Sequence, residues 1–104
     1  MKSRADHAAL ERYRQKHNRC LGLAAEELRT EKGLTRSEIA KRAEVSVLWI
    51  RRLETNQLDT NYTIRRLDQV STALGVELYD LYKRASEMAG PPPWLQTKGA
   101  QDDD

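Results

Sequence analysis

Apolar residues recur along most of this chain at steps of three and four, the spacing that lines one face of a helix. From Leu10 the steps run through Tyr13, His17, Cys20 or Leu21, and Ala24 to Leu28. Asp6 stands where an N-cap belongs, so a helix is expected from His7. The pattern allows one long helix to Lys32, or two helices broken near Gly22. Gly33 is placed to stop it as the residue just past the helix end. Thr35 and Glu38 then fit the spacing of a capping box, and Ile39, Ala40 and Ala43 supply the inner face of a second helix. Glu44-Val45 makes a tight connection, and Ser46 caps a third helix that turns Ile50 and Leu53 inward.

The stretch from Thr55 to Tyr62 is polar and reads as a loop. Thr63 caps a fourth helix with Ile64, Leu67, Val70 and Leu74 on one face, and Gly75 ends it. A fifth helix is expected from about Leu78 through Ala85, with Leu78, Leu81 and Tyr82 inward. Pro91-Pro92-Pro93 forbids helix, and residues 96–104 are expected to be disordered. The chain has no Phe and no strand-like alternation of β-branched residues, so the fold class is all-α. Three segments follow: a helical extension over residues 1–18, a helical domain over 19–85, and a flexible tail, Pro-rich and then acidic, over 86–104.

Charge sharpens the picture. Of the 18 Lys and Arg only Lys98 lies beyond residue 85, and of the 16 acidic residues Glu87 and Asp102 to Asp104 do. Residues 1–85 therefore carry +5, against +2 for the whole chain. A basic body suits a polyanionic partner. The single cysteine, Cys20, cannot build a disulfide framework, and a reducing compartment is the default. The longest apolar run, Leu21 to Ala25, is far too short to span a membrane. A soluble cytoplasmic protein is expected, associated with the nucleoid when bound to DNA.

Two helices of about nine residues joined by a short turn make a helix-turn-helix. Beyond that bare pattern stand Leu21-Gly22, Leu28-Arg29, Lys32-Gly33-Leu34-Thr35, Ser37-Glu38-Ile39-Ala40, Val45-Ser46, Ile50, Leu53-Glu54 and Ala73-Leu74-Gly75-Val76 leading to Leu81. In these residues, over about Leu21 to Tyr82, the chain resembles the Xre/lambda-repressor-like (Cro/C1-type) family of DNA-binding domains. The resemblance implies a five-helix domain whose third helix enters the major groove of double-stranded DNA, and a homodimer acting as a transcriptional repressor. It puts Val47, Leu48, Arg51 and Arg52 at or near the bases, and Arg36, Ser46, Trp49 and Asn56 at the DNA backbone. It also implies a structural ion pair between Arg29 and Glu54. Arg36 departs from the Gln usual at its position, keeping a donor and adding charge. The fifth helix often dimerises in this family, which singles out Tyr79. Apart from the resemblance, Trp94 can anchor the Pro91-Pro92-Pro93 run on its own domain or on a partner, which makes it a further candidate dimer contact.

Trp49 stands where a small hydroxyl residue is usual, and three readings of it are open. It covers the core at the helix edge, touches the DNA backbone, or joins Val47 and Leu48 in an apolar patch that binds protein. The last motivates an alternative function: a protein-interaction module, such as an antitoxin or adaptor. His17 and Cys20 offer two metal ligands at i, i+3 with no third nearby, so no metal and no cofactor is expected. The basic residues Lys2, Arg4, Arg12, Arg14, Lys16 and Arg19 either extend a DNA footprint or form a solvated helix face. No Gly-rich phosphate loop, no His-Glu-x-x-His motif and no nucleophile with an evident base occurs, and an enzyme is not expected.

Overall fold

A computed structural model of the chain describes residues 4–58, 63–92 and 95. Among them are five helices and no strand: α1 Arg4–Glu31, α2 Arg36–Ala43, α3 Val47–Glu54, α4 Ile64–Leu74 and α5 Leu78–Ala89. The first is unbroken. At about 1.5 Å per residue, its 28 residues make a rod roughly 42 Å long, and the expected boundary at residue 18 falls inside it.

Local chemistry sets the helix starts. The Thr35 hydroxyl accepts from the Glu38 N–H at 3.1 Å, and the Glu38 carboxylate accepts from the Thr35 N–H at 2.9 Å. That backbone bond holds the Glu38 carboxyl below its ordinary range. Ser46 and Thr63 cap α3 and α4, accepting from the N–H groups of Trp49 and Arg66.

One device ends α1 to α4. A residue with positive φ follows each helix, and the next N–H returns to a carbonyl five residues back, the Schellman arrangement. Leu34, Val45, Gln57 and Val76 donate to Arg29, Ala40, Arg52 and Ser71 in turn. The left-handed positions are Gly33, Glu44, Asn56 and Gly75. Helix α5 runs to Ala89, four residues past its expected end, because nothing opposes helix before Gly90 with φ of 78°. Residues 86–89 thus belong to the helix rather than to a tail.

The core is one cluster drawn from all five helices, with Ile39, Ile50, Leu53, Leu67, Leu74 and Leu81 fully enclosed. Helices α1 and α5 share the most extensive contact, and both place alanine in it, with Ala24 and Ala85 at 0% exposure. Ile64 was expected inward but stands 69% exposed in the first turn of α4. Its neighbours on that face, Leu67, Val70 and Leu74, are buried.

The N-terminal part of α1 is tied to α5. His17 Nε2 lies 3.2 Å from the Ser86 hydroxyl, and its ring stacks on Tyr82 at 6.1 Å and meets Tyr13 at 6.0 Å. Burial lowers the His17 pKa from its ordinary value. Cys20 is a buried free thiol in the core. Further along, Arg84 of α5 bridges Glu27 and Glu31 of α1. No described helix is long and apolar enough to cross a membrane.

Candidate nucleic-acid interface

Helices α2 and α3 are held at a fixed angle by a wedge of apolar side chains. Ile39, Ala40, Ile50 and Leu53 are almost fully enclosed, and Val45 in the turn packs against them. A second constraint comes from α1. It crosses α3 at Gly22, where a Cβ would lie 2.0 Å from the Leu53 carbonyl oxygen, so only glycine allows this approach. Gly22 therefore marks a helix crossing, not a break. Periodicity alone offered no means of telling the two apart.

The third constraint is electrostatic. Glu54, at the end of α3, has a side chain only 2% exposed. Arg29 of α1 grips it with both prongs, Nε to Oε2 at 2.8 Å and Nη2 to Oε1 at 3.1 Å, and donates Nη1 to the Leu34 carbonyl at 2.9 Å. The hydrogen bond to Glu54 raises the Arg29 pKa further. Glu54 accepts a second cation as well: Arg36 Nε lies 2.7 Å from Oε1, and Arg36 Nη2 is 3.5 Å from Glu26. Arg36 was expected to project toward a phosphate. In the fold its Nε is directed at Glu54, a partner that only the folded chain brings near.

On the side of α3 away from Gly22, Val47, Leu48, Arg51 and Arg52 are all exposed. Their i, i+1, i+4, i+5 spacing makes two adjacent rows along one face of the helix. Val47 and Leu48 are 44% and 50% exposed. Among the described residues, no carboxylate lies within ion-pair distance of Arg51 or Arg52. This face thus presents, among the described residues, two guanidinium groups without an ion-pair partner beside two apolar side chains.

Trp49 does not join that face. It is half-buried against the core, and Arg66 of α4 sits 5.5 Å from its ring centroid in a cation–π contact. The core-covering reading describes its position. Asn56 likewise has a structural role, taking φ of 57° where α3 ends. Arg42 reaches the Ala73 carbonyl near the end of α4 at 3.5 Å.

On α5, Tyr79 is 69% exposed and lines a groove with Tyr13, Tyr82, Pro91 and Pro92. Trp94, its expected companion, lies outside the described residues. Among the described residues no group of three His, Cys, Asp or Glu side chains is placed to hold a metal ion.

A family model described as helix-turn-helix (HTH_3) matches residues 26–81, just over half of the chain. The chain belongs to the Xre/Cro-type helix-turn-helix family. The solved structures it resembles agree with this. The clp gene regulator ClgR from Corynebacterium glutamicum superposes with a TM-score of 0.65 and is 26% identical, over 84% of each chain. The restriction-modification controller protein C.AhdI from Aeromonas hydrophila gives a TM-score of 0.56 at 27% identity, covering 61% of this chain and 92% of its own. A comparison with the curated proteins gives no match. Fold and family together make this a DNA-binding regulator of transcription.

Proposed function

We propose that this regulator is a sequence-specific repressor that binds double-stranded DNA as a homodimer and reads the major groove with α3. The observation that carries the reading is the exposed face of α3, where Arg51 and Arg52 have no ion-pair partner among the described residues, on a helix held by Gly22 behind it and by Glu54 at its end. Each arginine can bond the O6 and N7 of a guanine, which discriminates against a wrong base by about 1–3 kcal/mol. Val47 and Leu48 supply apolar surface for thymine methyl groups. Ser46 caps α3 through its oxygen, which leaves its hydroxyl proton for a phosphate. The tyrosine-lined groove on α5 is the proposed seat of the second copy, and binding to the nucleoid follows from the DNA contacts.

Selection of bound fragments from random duplex DNA at physiological salt tests this. A palindrome with half-sites about one helical turn apart is expected, and Arg52→Ala should relax the preference at one position in each half-site. Recovery of no consensus, or an affinity indifferent to salt, sinks the reading.

The exposed Val47 and Leu48 also favour a second reading, in which this face binds a protein. In that case Leu48→Ser abolishes capture of the partner and leaves DNA affinity intact.

A further inference from the structure

We infer that Arg36 is a positioning residue, which fixes the reading helix through Glu54 and contributes no phosphate contact of its own. The inference rests on the DNA-binding reading above. It starts from where the charge of Arg36 goes. The residue occupies the first position of α2, and its Nε donates at 2.7 Å to a carboxylate on the last residue of α3. Arg36 thus ties the entrance of the helix-turn-helix to its exit. Its Nη2 lies 3.5 Å from Glu26, which adds α1 to the same cluster.

Two physical points favour this role. The first is the count of charge: Arg29 and Arg36 stand against Glu26 and Glu54, so the cluster is neutral. A cation neutralised by its own fold displaces few counterions from DNA, and salt dependence follows counterion release. The second is burial. A charge-assisted bond to a shielded carboxylate outlasts one made to a solvated phosphate, and releasing Arg36 would leave one lone pair of Glu54 oxygen without its donor.

The loss of Arg36 should therefore loosen the angle between α2 and α3 rather than remove an attraction. Arg51 and Arg52 would then meet the bases in a broader range of poses. Affinity for the preferred duplex falls, and affinity for unrelated duplex holds.

The test compares Arg36→Gln with wild type on the selected duplex and on a scrambled one, across a series of salt concentrations, with Arg52→Ala alongside. Arg36→Gln is expected to lower the ratio of the two affinities about tenfold, the worth of one good base contact, and to leave the salt slope unchanged. A slope smaller by about 1 identifies a phosphate ligand and overturns the inference, and so does an unaltered ratio. Discrimination lost in Arg52→Ala but kept in Arg36→Gln sinks this inference alone. Salt-indifferent binding by the wild type sinks the DNA reading and this role with it. Should Arg36→Gln fail to fold, nitrogen-detected NMR of the wild type decides. The Arg36 Nε–H should keep its shift and slow exchange when duplex is added, and a shift with faster exchange overturns the assignment.

Discussion

The Cα of Gly22 lies so close to the Leu53 carbonyl that the two residues hold α1 and α3 in backbone contact. A Cβ at residue 22 would meet the Leu53 oxygen at 2.0 Å, its carbon at 3.0 Å and the Glu54 Cα at 3.4 Å. All three are backbone atoms and cannot swing aside. In a solvent-facing helix, Gly→Ala gains about 0.8–1 kcal/mol from helix propensity. Here overpacking opposes that gain and prevails. Gly22→Ala should lose about 1–2 kcal/mol on balance, visible as a lower urea midpoint. A rise in the midpoint would mean that the helices are not in contact at this point.

Glu54 with its two arginines makes a different kind of prediction. Breaking a buried pair by removing one partner ordinarily costs about 3–5 kcal/mol, because the other charge is stranded. Arg36 keeps Glu54 partnered when Arg29 is lost, so Arg29→Met should fall below that range, near about 2 kcal/mol. The double variant Arg29→Met/Arg36→Gln leaves the carboxylate without a cation. Its loss should exceed the sum of the single losses by at least about 1 kcal/mol in a double-mutant cycle. Simple additivity would show that the two cations act independently.

Glu44 holds a left-handed conformation, with φ of 58° and ψ of 42°, in the turn between α2 and α3. For a residue with a Cβ this costs roughly 1–2 kcal/mol, whereas glycine brings an entropic penalty of about 0.5–1 kcal/mol. The difference favours glycine. Glu44→Gly should stabilise the domain by about 0.5–1 kcal/mol in chemical unfolding, with α3 and its exposed face unmoved.

His17 predicts a pH effect. Burial lowers its pKa in the folded protein, so the unfolded chain takes up this proton first as the solution is acidified. The contribution is complete above the ordinary value of about 6.5 and is lost as the pH falls through the lowered folded value. His17→Gln should flatten the decline of unfolding free energy between about pH 7 and pH 5. If variant and wild type decline in parallel, His17 is not the group responsible.

The chain told unequally of its fold and of its site. Caps and helix ends were legible because they are local: Thr35 with Glu38, Ser46, Thr63, Gly33 and Gly75 act within a few residues of themselves. The wedge was legible because Ile39, Ile50 and Leu53 repeat with the helix period. The partner of Arg36 was not, since Glu54 lies eighteen residues away and becomes a neighbour only when three helices meet. Asn56 resembles any polar loop residue until its backbone angle is known. Trp49 was ambiguous for a related reason. Its position on α3 did not say whether α4 would bring Arg66 over the ring.

The unbroken course of α1 has a mechanical consequence. One stiff rod carries Tyr13 and His17 where it rests on α5, and Gly22 and Arg29 where it bears on α3. The N-terminal extension and the helix-turn-helix are therefore joined by one lever with two bearings. A load applied at the tyrosine-lined groove has a rigid path to α3 and its exposed face.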